Sequence, residues 1–158
     1  MPSLLNEHRI TKAVIEAMPA DKLDYRPDEN AKSALELAWH IAMVEIMLMD
    51  GVIAGQFGPG QPMPETIKTP ADLSAWYVET FAARQDAINK MSGDELIKIV
   101  DFHGVFHLPA VMYLGFVMHH TVHHRGQLSV YLRPMGGKVP AIYGESYDSA
   151  EAKKAAKA

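Results

Sequence analysis

The sequence predicts an all-α protein, a four-helix bundle, and three observations support this fold class. Four segments carry apolar residues at helical spacing, and capping residues, prolines or glycines bound them. No segment gives a convincing sheet signal. The length of 158 residues suits one domain with its own core. We therefore predict a single domain over residues 1–147 and a frayed tail over residues 148–158.

Composition and charge exclude several classes of function. The net charge is −4, the pI is about 6.0, and no dense Lys/Arg stripe is present, which argues against nucleic-acid binding. The chain has no cysteine, so it forms no disulfide and supplies no thiolate of its own. There is no signal-peptide layout, and no apolar run approaches the roughly 18 residues of a membrane span. These features predict a soluble, cytoplasmic protein without a membrane or nucleic-acid partner.

The first helix is predicted from Leu4 to about Met18, where an apolar stripe at helical spacing stops at Pro19. Residues 20–32 are charged, contain proline and are predicted to form a loop. The next segment, Ser33-Ala-Leu-Glu36, is a capping box, in which the serine side chain and the glutamate side chain bond to each other's backbone N–H groups. It predicts the start of the second helix.

This second helix is unusually apolar. From Ala34 to Met49 its only charged residues are Glu36 and Glu45, with His40 between them. A helix that is apolar nearly all round must be covered on most sides. One small domain offers limited cover, so we predict a homodimer that buries part of this helix.

Residues 55–69 form a linker, because three glycines and three prolines prevent a helix there. About fourteen extended residues reach roughly 46 Å. A helix of about 22 residues is only about 33 Å long. The linker can therefore run the length of the bundle and join two parallel helices.

Thr69 before Pro70 predicts the start of the third helix, which ends near Ser92-Gly93. Residues 94–107 predict a short helical turn followed by an extended Ile99–Phe106 segment. The fourth helix is predicted from Pro109 to about Leu132. In the tail, a short apolar patch at residues 139–143 is expected to dock on the bundle.

The fourth helix carries four histidines between Met118 and Gln127. His119 and His123 form one pair at i,i+4 spacing, and His120 and His124 form another. Either pair could share a metal ion, since a Zn–N bond is about 2.0–2.1 Å long. Periodicity does not decide which pair faces inward.

The other histidines differ in how well they suit the role of a metal ligand. His40 interrupts the most apolar helix and is a candidate third ligand, although a lone buried histidine is more often satisfied by one hydrogen bond. His8, His103 and His107 are predicted to be solvated or locally hydrogen-bonded. The alternative to a metal site is a polar seam in which Arg125 pairs with a carboxylate. Neither a His-Glu-x-x-His motif nor a Glu-x-x-His pair is present, which excludes two common metalloenzyme sites.

The run His120-Thr-Val-His-His124-Arg-Gly-Gln127, with a histidine inside the apolar second helix, resembles the DinB-like (DinB/YfiT) metal-binding bundles. Weaker matches flank it at residues 22–27, 132–137 and 140–144. The resemblance covers nearly the whole chain. It implies an up-down-down-up four-helix bundle with a long crossover between helices two and three, which agrees with the linker.

The resemblance also implies a three-histidine metal site made of His40, His120 and His124, with His119 and His123 outside it. The expected cofactor is a divalent ion: zinc, nickel, iron or manganese. The implied activity is that of a metal-dependent S-transferase or isomerase that uses a low-molecular-weight thiol. Because the chain has no cysteine, the sulfur must come from a cosubstrate.

Two other functions are also consistent with the sequence. Three histidines leave a coordination position free, so a hydrolase that uses bound water is one alternative. A metal-binding stress-response protein without catalysis is another. Glu36 is assigned to the capping box rather than to His40, whereas Gln127 and Tyr131 either line the site or only pack. The residues assign no general acid or base.

Overall fold

The computed structural model describes residues 2–156, and this part of the chain is mostly helical. Its elements are α1 (Pro2–Glu16), α2 (Ala34–Ala54), α3 (Pro70–Asn89), α4 (Gly93–Ile97), β1 (Ile99–Phe102), β2 (Phe106–Pro109), α5 (Ala110–Leu132) and α6 (Tyr147–Ala155). The four long helices are the four that the sequence predicts. The first ends two residues earlier than expected.

Side-chain caps explain where the helices begin. Ser33 Oγ accepts from the backbone N–H of Glu36 at 3.2 Å, and the Glu36 carboxylate accepts from the backbone N–H of Ser33 at 2.8 Å. This confirms the capping box, and Arg26 pairs with the same carboxylate at 2.9 Å. Thr69 and Asp72 form an equivalent box before α3. At the other end of α2, Gly55 has a φ of 69°, which a glycine adopts without strain.

The segment between α3 and α5 differs from the sequence prediction. In place of one extended stretch, β1 and β2 pair antiparallel in a hairpin, with Val100 opposite Leu108. The chain reverses at His103 and Gly104, whose φ angles of 53° and 74° are both in the left-handed region. The Asp101 carboxylate accepts from the Gly104 N–H at 3.0 Å and stabilises this turn. His103 and His107 are exposed here, as expected.

Each of the four long helices packs mainly against two of the others. Helix α2 packs against α3 and α5, and α1 packs against the same two helices. Helix α2 is long and apolar enough to cross a membrane, but 61% of its most apolar window is buried inside the protein. Its hydrophobicity therefore has an explanation in the core.

A polar layer divides this core into two apolar clusters. One cluster contains Val14, Leu37 and Leu128, and the other contains Leu4, Ile46, Phe81 and Val117. Between them lie the buried polar side chains Glu7, His8, Thr11, Glu45, Thr121 and Arg125, joined by the hydroxyl of Tyr77, whose ring belongs to the first cluster. The half-buried side chains of His40, His120 and His124 lie beside this layer.

The C-terminal segment is partly attached to the helices. Val139 and Ile142 pack against the first apolar cluster, which confirms the predicted docking of residues 139–143. After them α6 begins at a Ser146 cap and buries none of its residues. The boundary at residue 147 and the frayed tail over residues 148–158 stay predictions, and residues 157–158 lie outside the described part.

Candidate metal centre

Three histidines from two helices converge at the contact between α2 and α5. His40 Nε2 lies 3.0 Å from His120 Nε2 and 3.3 Å from His124 Nε2. All three side chains are half-buried, whereas His119 and His123 are exposed on the neighbouring stripe of α5. Packing of α5 on α2 therefore decides what the helical spacing left open, and it places the pair 120/124 against His40.

The spacing of the three nitrogens fits a metal ion. A tetrahedral zinc site with Zn–N bonds of about 2.0–2.1 Å holds its nitrogens about 3.4 Å apart. Two of the Nε2 separations, 3.0 and 3.3 Å, are close to that value. A neutral imidazole carries only one N–H. Three such rings directed at one point therefore cannot satisfy all of their nitrogens by hydrogen bonds to one another. One cation would accept all three lone pairs.

Gln127 fixes the orientation of one of these rings. Its Oε1 accepts a hydrogen bond from His124 Nδ1 at 2.7 Å, which leaves the Nε2 lone pair directed at His40. The amide nitrogen of Gln127 lies 3.3 Å from Nε2 of His123 and can donate to it. The Nδ1 of His120, by contrast, is buried and has no partner among the described residues. Gln127 therefore acts on the site through His124.

Burial keeps two of the histidines in the form that binds metals. Burial first, and then the charges of His124, His40 and His123, together lower the pKa of His120 to about 3. The pKa of His40 is also lowered, by burial first and then by His124 and Lys32. Both rings are therefore neutral at pH 7, and their lone pairs are available without loss of a proton.

A cleft opens beside the histidines. Its volume is about 570 Å³, within the range of roughly 300–1,000 Å³ found for small-molecule sites. Its walls include His124, Gln127 and Tyr131, and one positively charged side chain, Lys32. Gln127 and Tyr131 thus line the cleft, and the Tyr131 hydroxyl also donates to the Lys32 carbonyl at 3.3 Å. A second cavity of about 550 Å³ lies under the linker and includes none of the three histidines.

The sequence prediction for His8 is wrong. His8, predicted to be solvated or locally hydrogen-bonded, is only 4% exposed, and its Nδ1 lies 3.0 Å from Glu45 Oε1 on another helix. Glu45 was not considered as a site residue, although a carboxylate in such an apolar helix requires buried partners. Arg125 pairs with the Glu7 carboxylate at 2.7 Å, so the polar seam exists beside the histidine cluster and does not replace it.

Comparison with known proteins gives the family. The sequence profile of the DinB family matches residues 2–155. The chain belongs to the DinB family. Among curated proteins, no match was found.

Two solved DinB-like proteins share the fold of this DinB-family chain. The one from Bacillus subtilis is 24% identical, with a TM-score of 0.76, over 91% of this chain and 97% of its own. The one from Bacillus cereus is 23% identical, with a TM-score of 0.77, over 90% of this chain and 94% of its own. At this level of identity the likeness supports the fold alone.

The donor set of this DinB-family chain indicates the kind of chemistry available. Three imidazoles carry no charge, so they would leave the full charge of a divalent ion in place. Three protein ligands also leave a coordination position open, as in reactive metal sites and unlike closed structural sites. The arrangement could therefore hold a metal ion that keeps one coordination position free.

Proposed function

We propose that the protein binds one divalent metal ion through Nε2 of His40, His120 and His124, and that it acts as a metal-dependent S-transferase or isomerase on a low-molecular-weight thiol. The observation that supports this proposal best is the convergence of three imidazole nitrogens, with one ring oriented by Gln127. Imidazole ligands suit zinc, nickel and iron, and manganese stays a further candidate.

The thiol itself must come from a cosubstrate, because the chain has no cysteine. When bound, the ion would stabilise the thiolate form of that cosubstrate. Lys32 gives the cleft a positive charge that favours an anionic thiol, such as one with a carboxylate. Apolar contacts from Leu37, Val130 and Tyr131 would hold its carbon skeleton. In transfer, sulfur forms a thioether bond to an electrophilic carbon, the leaving group departs with its electron pair, and the thiol proton passes to solvent.

The same proposal includes the arrangement of the helices. We assign them an up-down-down-up course with the crossover at residues 55–69. The order in which the helices meet the two apolar clusters supports this course. Along the chain, α2 and α3 run from the cluster of Leu37 to that of Phe81, whereas α1 and α5 run in the opposite direction.

A homodimer and a cytoplasmic location belong to the proposal as well. A monomeric mass by light scattering would overturn the dimer, and recovery of the protein outside the cytoplasm in cell fractionation would overturn the location.

Metal analysis tests the site. Purified protein should contain about one metal ion per chain, and the variant His120→Ala/His124→Ala should contain none, since two of the three ligands are gone. The matched control is His119→Ala/His123→Ala, which removes two histidines of the same helix at the same spacing. Equal metal content in all three proteins would contradict the site.

A thiol panel tests the reaction. Protein of known metal content is incubated with small thiols and an electrophilic acceptor, and products are identified by mass spectrometry. A thioether that depends on the metal supports the transferase. Product that contains only water-derived oxygen would favour a hydrolase, and no product with any thiol would favour metal binding without catalysis.

A further inference from the structure

One buried carboxylate, Glu45 of α2, bonds to each of the other three long helices. It has no solvent exposure. Its Oε1 lies 3.0 Å from His8 Nδ1 of α1, which donates to it. Its Oε2 accepts from the Tyr77 hydroxyl of α3 at 2.7 Å and from the Thr121 hydroxyl of α5 at 2.8 Å. All four long helices therefore meet at this side chain.

Glu45 bonds to α5 directly beside one histidine of the candidate metal centre, and it lies on the same helix as the histidine contributed by α2. Glu45 is five residues after His40 on α2, and Thr121 directly follows His120 on α5. Successive residues of a helix are about 100° apart around its axis, so the stripe of Thr121 is adjacent to the stripe of His120. The Thr121–Glu45 hydrogen bond thus joins the same two helices that the three histidines join.

The α5 stripe that carries Thr121 is anchored a second time, one turn further on. Arg125 follows His124 directly, is 1% exposed, and pairs with the Glu7 carboxylate of α1 at 2.7 Å. It also donates to the Tyr143 hydroxyl at 2.7 Å. The helix face beside the two histidines is therefore fixed by directional bonds along its length.

A contribution to stability does not by itself explain why the Glu45 carboxylate is buried here. Removal of a charged group from water carries a large desolvation penalty, and apolar residues of similar volume are often no less stabilising. Directional hydrogen bonds do specify how helices are rotated and aligned. At the level of the polar layer the two apolar clusters are interrupted by polar side chains, so directional hydrogen bonds act together with ring packing to set the alignment there. A metal site needs its ligands placed within about 0.5 Å.

We propose that Glu45 is a positioning residue of the metal centre. Through the hydroxyl of Thr121 it holds α5 in the rotation and alignment that bring His120 and His124 to His40. This inference rests on the metal binding proposed above, but not on the identity of the thiol or on the reaction.

The test compares two variants, each of which removes one hydroxyl that donates a hydrogen bond to Oε2 of Glu45. Thr121→Val removes the donor on α5, the helix that carries two of the histidines. Tyr77→Phe removes the donor on α3, which carries none. Cobalt(II) serves as the probe, because its visible absorption reports the coordination geometry, and its affinity is measured by competition with a chelator.

Thr121→Val should bind cobalt at least about tenfold more weakly, the lower end of the effects known for residues that orient metal ligands, and its spectrum should change. Tyr77→Phe should lower the melting temperature of the metal-free protein but keep the wild-type cobalt affinity and spectrum. Thr121→Ser, which keeps the hydroxyl, should restore both. If the valine variant does not fold, Thr121→Ala removes the same donor with no added bulk.

Equal cobalt affinity and spectra in wild type and Thr121→Val would overturn the inference and leave the metal site intact. Parallel losses in the Thr121 and Tyr77 variants would also overturn it, since they would show an effect of stability alone. A wild type that binds no cobalt would overturn the proposed metal site, and the inference with it.

Discussion

Two polar groups lie next to each other between α2 and α5, and they differ in how their hydrogen bonds are satisfied. Both oxygens of Glu45 have donors, and the side chain is fully buried. The histidines 40, 120 and 124 are half-buried and direct nitrogens at one another beside an open cleft. A buried polar group with its own partners stabilises and aligns a fold. Convergent imidazole nitrogens that have only one another as partners indicate a ligand.

The largest effect that separates the two groups concerns the stability of the metal-free protein. Glu45→Ala leaves three buried donors without an acceptor, and we expect the free energy of unfolding to fall by about 3–5 kcal/mol. His40→Ala removes a side chain whose polar contacts are with two other histidines, so we expect a loss below about 1 kcal/mol. Urea unfolding measures both. A loss for His40→Ala as large as that for Glu45→Ala would remove the distinction.

A smaller effect concerns Gln127, which orients one ring but is itself exposed. Gln127→Leu should weaken zinc binding about 10- to 100-fold, since the His124 ring loses its acceptor. Gln127→Glu keeps an acceptor at that position and should bind zinc at least as tightly as wild type.

Both Gln127 variants should unfold at the wild-type urea concentration when the metal is absent. Competition with a chelator measures the affinity. Wild-type affinity in Gln127→Leu would show that the hydrogen bond to His124 does not support the site.

The smallest effect appears at alkaline pH and belongs to the Glu45 cluster. Burial first, and then the charge of Glu45, raise the pKa of Tyr77 well above its usual range. The unfolded chain loses this proton near pH 10 whereas the folded protein keeps it, so the stabilisation is complete below pH 10 and is lost as the pH rises. Between pH 9 and pH 11, wild type should therefore lose about 1 kcal/mol more stability than Tyr77→Phe.

The matched control is Tyr147→Phe, because Tyr147 is 72% exposed. Its unfolding free energy should decline with pH as that of wild type does. If wild type and Tyr77→Phe declined in parallel from pH 9 to pH 11, Tyr77 would not hold its proton in the folded state.

Much of the fold could be predicted because its signals are local. The helices follow from the spacing of apolar residues. Their first residues are set by capping hydrogen bonds within a few residues, as at Ser33 with Glu36 and at Thr69 before Pro70. The hairpin was harder to predict, because its strands are short and depend on the turn at His103 and Gly104. The preference of these residues for a strand conformation is weak, so the hairpin depends on its contact with α5.

The candidate site was predictable in part. Its residues stand out in the sequence, since a histidine is unexpected in so apolar a helix and His120 and His124 are one turn apart. Their assignment to a metal came from family resemblance rather than from spacing, which left two equivalent pairs. Ligation itself stays a prediction for the metal analysis.

By itself, the sequence determined the positions of the four long helices, the absence of any protein thiol and the residues able to bind a metal. Only the tertiary structure decided which stripe of α5 faces α2, and only it showed His8 buried against Glu45. The reason is that periodicity gives the faces of a helix but not the rotation of one helix against another. Contacts between residues far apart in the chain decide that rotation.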